Sequence, residues 1–132
     1  VRVYYAHCLA LYDTLQEGRD VATLEALGFE VVNPNCESAQ IACDVIRDEH
    51  GAREVGVAGK RIMYEIFKAM VLECDAVAFR ATPDGAITSG VVKEIGWAVE
   101  RGKPVFELPR GLRRRALSLD LTREYLAEIG ER

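Results

Sequence analysis

Apolar side chains along this chain fall into short runs and longer periodic stretches, and the two alternate. Residues 1–7 (VRVYYAH) are dominated by β-branched and aromatic side chains, which predicts a first strand. Residues 29–33 (FEVVN) form a second such run, stopped by Pro34. Residues 75–81 (DAVAFRA) make a third that is nearly continuous in apolar residues, as expected of a strand covered on both faces. Residues 104–108 (PVFEL) supply a fourth. Between the strands the pattern turns helical. Thr14 and Glu17 have capping-box spacing, so a helix should open there and run to about Leu27, with Gly28 suited to end it. Further helices are predicted over residues 39–49 and 61–73, separated by a Gly-containing segment from Gly51 to Gly59. Two more are predicted at about 91–101 and 119–129. Strands separated by helices of this length mean βαβ units, hence an α/β fold with a short parallel sheet and helices on both faces.

Composition narrows the class. At 132 residues, with no internal repeat, low-complexity tract or linker, the chain reads as one domain over residues 1–132. A formal charge of −4 argues against nucleic acid as a partner, since that affinity comes largely from Lys and Arg neutralising phosphates. No apolar run reaches the roughly 20 residues of a membrane helix, so no membrane partner is expected. The first residues are interrupted by polar side chains and read as a strand rather than a signal peptide. Cys8, Cys36, Cys43 and Cys74 show no C-x-x-C pair, and with only His7 and His50 no zinc spacing arises. Reduced thiols in a cytoplasmic protein without a bound metal are the expectation.

In open parallel sheets ligands lie beyond the carboxyl ends of the strands. Residues 6–12, 33–36 and 82–90 should meet there. Asp84-Gly85 and Ser89-Gly90 are turn pairs, and a helix starting after Gly90 would aim free N–H groups at the crevice, forming an anion cradle. An ordinary connecting loop has the same composition. Glu94 follows Gly90 by four residues, on the first turn of that helix. A carboxylate there suits a nucleophile or a stabiliser of a developing oxocarbenium ion, and equally suits the helix dipole.

The run Gly90-Val-Val-Lys-Glu94-Ile95-Gly96, followed by Gly102-Lys103-Pro104, resembles the signature of nucleoside 2-deoxyribosyltransferases and deoxynucleoside 5′-monophosphate N-glycosidases. Their pattern is Gly-x-x-x-Glu-[Ile/Leu]-Gly with a Lys nine residues after the Glu, the spacing from Glu94 to Lys103 here. The strand Val3-Tyr4-Tyr5 is similar too. The resemblance implies a flavodoxin-like three-layer fold and N-glycosidic cleavage or transfer through a glycosyl–Glu94 intermediate, with no cofactor. It implies that Tyr4 orients Glu94, and the cradle residues Asp84, Gly85, Thr88, Ser89 and Gly90 are the candidates to hold substrate. Neutral Thr88 and Ser89 favour a 5′-monophosphate, because a carboxylate there would repel it.

Two positions depart from that pattern. Ala6-His7-Cys8 stands where the family has a small Gly-containing loop, so His7 either enters the base pocket or is a loop histidine. The family's Asp ahead of the third strand falls at Ile66 or Phe67, and Glu65 is expected to point away from the core. His7, Asp13 and Asp84 are the candidates to replace that acid. A non-catalytic nucleotide-binding or sensor domain, or cleavage of NAD or a cytokinin-type nucleotide, are the alternatives. Arg110, Arg113, Arg114 and Arg115 read as a solvated loop, a phosphate contact or an inter-subunit bridge. A homodimer or higher homo-oligomer is expected, from the apolar stripe Ile62, Met63, Ile66, Phe67, Met70 and Val71 and a second edge at Leu117, Leu121, Tyr125 and Ile129.

Overall fold

The computed structural model describes residues 1–109. Strand β1 (Arg2–Ala6) lies between β2 (Glu30–Val32) and β3 (Ala76–Phe79), with β4 (Val105–Glu107) outside β3. Every pairing is parallel, and Tyr4 sits opposite Val32 on one side and Val77 on the other. Parallel neighbours need crossovers, which here are helical. Helix α1 (Leu15–Ala26) joins β1 to β2, and α5 (Ser89–Glu100) joins β3 to β4. The long connection from β2 to β3 carries α2 (Glu37–Glu49), α3 (Val55–Ile62) and α4 (Lys68–Glu73). The strand order β2-β1-β3-β4 is that of a flavodoxin-like α/β fold, as expected.

Successive strand residues point to opposite faces, and β1 feeds two cores accordingly. Val3 and Tyr5 pack with Leu24 of α1, Ala76, Ala78 and Leu108. Tyr4 and Ala6 pack on the other face with Val71, Val91, Trp97 and Ala98 of α4 and α5. A third cluster, Cys43, Ile46, Ala58, Ile62 and Phe67, binds α2 to α3. The apolar stripe from Ile62 to Val71 is therefore divided between two clusters of its own chain. The predicted helix at 119–129, the C-terminal apolar edge and the Arg cluster lie outside the described residues.

Helix ends follow the sequence closely at α1. Thr14 caps it by accepting the Glu17 N–H at 3.3 Å, and Gly28 takes the left-handed backbone (φ +92°) that ends it. Two boundaries differ. The segment expected to stay irregular up to Gly59 is helical from Val55, because burying Ala58 and Ile62 against α2 outweighs about 1 kcal/mol for each of Gly56 and Gly59. Ser89 and Gly90, read as a turn pair, are already the first helical residues of α5. Met63–Phe67, between α3 and α4, forms a π-helical turn that no periodic pattern announced.

Two cations tie the layers together. Lys103 Nζ donates to the carbonyls of Leu72 (2.7 Å) and Cys74, closing the C-terminal end of α4. Arg80, at the carboxyl end of β3, donates twice to Asp20 on α1, and its Nη1 reaches the Pro109 carbonyl at 2.6 Å. The Tyr5 hydroxyl donates to the same carboxylate at 2.6 Å. Burial alone would raise the Asp20 carboxyl, but hydrogen bonds from Arg80, Tyr5 and Gln16 outweigh it and hold the group below its ordinary value. The stability it contributes is thus present at neutral pH and lost as pH falls through that lowered value. Removing one partner strands a buried charge. Asp20→Asn or Arg80→Met should each lower unfolding stability by about 3–5 kcal/mol, read as a fall in urea midpoint at unchanged m-value.

Candidate active site

Glu94 stands on the second turn of α5, on the face turned toward the sheet, and only 4% of its surface is exposed. Tyr4 points to the same side of β1, and its hydroxyl donates to Glu94 Oε2. Burial, then the neighbouring Glu94 charge, raises the Tyr4 phenol well above its ordinary range, so it remains a donor at any working pH. Burial also pushes the Glu94 carboxyl up, to about 7, although the Tyr4 hydrogen bond pulls it down. With Oε2 taken by Tyr4, Oε1 is left for the cavity that Glu94 lines.

That cavity measures about 810 Å³. Its wall near Glu94 is made by His7, Cys8 and Tyr12 after β1, by Thr88, Ser89 and Gly90 at the start of α5, and by apolar Ile62, Met63 and Phe67. Thr88 is the N-cap of α5 but makes no side-chain capping bond, which leaves its hydroxyl and the first N–H groups of the helix to a ligand. A Cβ at Gly90 would stand 3.7 Å from Met63, an ordinary contact, so the helix start does not demand glycine on steric grounds. Gln40, Arg47, Lys60 and Lys93 also line the cavity. The sequence reading missed all four, which come from three separate helices.

His7 is both a wall of the cavity and a buried polar group. Its ring stacks on Tyr5 at 3.8 Å, Nδ1 lies 3.1 Å from the Tyr5 carbonyl, and Nε2 lies 2.6 Å from Glu17. Glu17 further accepts from Asn35 Nδ2 and the Asp13 N–H. The capping-box reading of Glu17 therefore found the helix start but not its second partner, the histidine. With both ring nitrogens occupied, His7 presents ring surface rather than a free nitrogen to the cavity.

The other expected residues fall elsewhere. Asp84 accepts from Thr82 Oγ1, and Gly85 takes a left-handed backbone (φ +88°) with its N–H on the Thr82 carbonyl. Both belong to a self-contained turn and are not among the cavity-lining residues. Asp13 is exposed and accepts from Asn35 Nδ2 at 3.0 Å. Glu65 is exposed and paired with Arg61 at 2.6 Å, away from the core as expected, and is not among the residues lining the cavity. Among the described residues lining the cavity, Glu94 is the sole carboxylate.

Comparison with known families settles the kinship. The nucleoside 2-deoxyribosyltransferase family model matches residues 11–123. The chain belongs to the nucleoside 2-deoxyribosyltransferase family. A search of curated proteins finds no match. The match takes in Glu94 and Lys103 but starts after β1, so the pairing of Tyr4 with Glu94 is supplied by the geometry alone. In this nucleoside 2-deoxyribosyltransferase-family chain the signature lysine serves the scaffold, since Lys103 caps α4 rather than entering the cavity.

A carboxyl raised from 4.5 to about 7 keeps its proton in the folded state over a range where the unfolded chain has lost it. Stability from this group therefore falls as pH rises from about 4.5 to 7. Glu94→Gln should be more stable than wild type at pH 8, by on the order of 2–3 kcal/mol, with the gap closing below pH 4.5. Urea unfolding at the two pH values measures this directly.

Proposed function

We propose that the protein cleaves or transfers at the N-glycosidic bond of a nucleoside 5′-monophosphate, with Glu94 as nucleophile. The observation that carries the reading is a buried carboxylate held by Tyr4, the sole one among the described residues at the wall of a large cavity, beside an open helix start. Glu94 Oε1 would attack C1′ as the C1′–N bond breaks, and the base would leave with that electron pair and take up a proton. Water or an acceptor base would then displace the glycosyl ester, restoring the carboxylate and releasing a proton. Tyr4 fixes the carboxylate and keeps it ionisable near neutrality despite its burial. The Thr88 and Ser89 hydroxyls and the first N–H groups of α5 offer the phosphate neutral donors with the positive end of the helix dipole. No residue of this reading calls for a metal or an organic cofactor.

A nucleotide-binding domain without turnover is the second reading. It is favoured by Glu65 lying outside the cavity and by Ile66 and Phe67 at the family's acid position. Turnover separates the two. Wild type should release free base from nucleoside monophosphates, and Glu94→Ala should abolish release while binding persists; a wild type that binds without releasing base supports the second reading. Because the nucleophile must be ionised, kcat/KM should rise with pH through about 7. Tyr4→Phe removes a bond that lowers the Glu94 value, so the same limb should move to higher pH.

Calorimetry addresses the phosphate. Monophosphates should bind at least about tenfold more tightly than the matching nucleosides, since a charge-assisted hydrogen bond contributes about 1.5–3 kcal/mol. Equal affinities would remove the α5 start from the binding site.

A further inference from the structure

The cavity extends beyond what chemistry at Glu94 uses. On α2 it is lined by both Gln40 and Arg47, and seven residues of α-helix rise about 10 Å, so it follows α2 for roughly that distance. Its far wall includes His50, Gly51, Gly56 and Gly59. A Cβ built on any of these three glycines meets no atom within 4 Å, so that wall borders open space rather than packed interior.

The charge in the cavity runs against that of the chain. Among the described residues three full cations line it, Lys93 on α5, Lys60 on α3 and Arg47 on α2, against the single carboxylate of Glu94. The whole chain carries −4, so bulk composition does not produce this bias. The three helices also adjoin in that order. Met63 would touch a side chain at Gly90 near the start of α5, and Lys60 lies three residues before Met63, on the same helical face. Helix α3 in turn packs on α2 through Ala58, Ile62, Cys43 and Ile46. Arg47 has one partner among the described residues, Asp44 at 3.1 Å on its own helix, and both are exposed. An exposed pair of that kind is weak enough for a ligand anion to displace. His50 is already engaged by Glu54 and Arg61.

We propose that Lys93, Lys60 and Arg47 form a track for a diphosphate, so that the preferred ligand is a nucleotide extended beyond its first phosphate. This rests on the reading of the α5 start as the seat of that first phosphate. The second phosphate meets Lys60 and then Arg47, whose planar fork can bind it through two parallel N–H bonds. Anything attached beyond it runs along the glycine-bearing wall. The ligand chemistry is a nucleoside 5′-diphosphate, either free or as the linkage of a conjugate.

The test compares 2′-deoxynucleoside 5′-monophosphates of the four bases with their diphosphates, and adds a dinucleotide joined by a 5′,5′-diphosphate. Binding is measured by calorimetry to wild type and to the Arg47→Glu/Lys60→Glu variant, whose fold is checked by circular dichroism. Both side chains are exposed, and Arg47→Gln with Lys60→Gln provides a milder pair. A diphosphate should bind at least about tenfold more tightly than its monophosphate, and the double variant should bring that ratio close to one. A further gain with the dinucleotide identifies a conjugate, whereas its absence identifies the free diphosphate. Equal affinity for mono- and diphosphates, or a gain that survives charge reversal, overturns the track. Base release from monophosphates by wild type is read separately: its absence would overturn the Glu94 chemistry without touching the affinity ratio.

Discussion

The site depends on one hydrogen bond between neighbouring layers, from the Tyr4 hydroxyl to the Glu94 carboxylate. Neither partner could occupy its place alone. A bare carboxylate at this depth would give up its charge, and a bare phenol would leave a polar group unpaired. Together they sit within the core formed by Val71, Val77, Val91 and Trp97, and the carboxyl remains poised near neutrality. Every nearby requirement follows from that pairing. Helix α5 must start at the carboxyl end of β3 so that its second turn meets β1, and β1 must be central so that Tyr4 can reach it.

The strict alternation of β1 then gives its two adjacent tyrosines opposite duties. Tyr4 holds the carboxylate at the cavity wall, while Tyr5 holds Asp20, which is ion-paired with Arg80. One carboxyl is raised by burial without a cation, and the other is lowered because a cation and two further donors surround it. A buried carboxyl raised at a cavity wall marks a candidate functional site, whereas one fully paired in the core marks a structural one. Moving the register of β1 by one residue would exchange the two and lose both.

Much of this was legible in the residues, for physical reasons that differ from place to place. The strands were plain because β-branched and aromatic runs interrupted by Pro34 and Gly28 have few other solutions. Glu94 was legible through its spacing from Gly90 and Lys103, and Tyr4 through the same resemblance. The π turn at Met63–Phe67 was not, because a single inserted residue leaves the apolar pattern almost unchanged. The bond from Glu17 to His7 was hidden behind the capping pattern that Glu17 also satisfies. The basic lining was hidden because Arg47, Lys60 and Lys93 are each unremarkable on an exposed helix and become a group only when α2, α3 and α5 are packed. The net charge of −4 even pointed the other way.

Lys103 shows what a signature can and cannot report. Its ammonium gathers the last carbonyls of α4, so it is needed wherever this helix must end against this strand, whatever reaction the protein performs. A chain that kept Lys103 and lost Glu94 would still resemble the family over most of its length and would lack the carboxylate on which the proposed chemistry rests. Lys103 and Glu94, both within the Gly90-to-Lys103 run, therefore carry different information: one reports architecture, the other bears the proposed chemistry. Kinship inferred from the whole run identifies the scaffold, and only the acidic residue within it bears on the proposed catalysis.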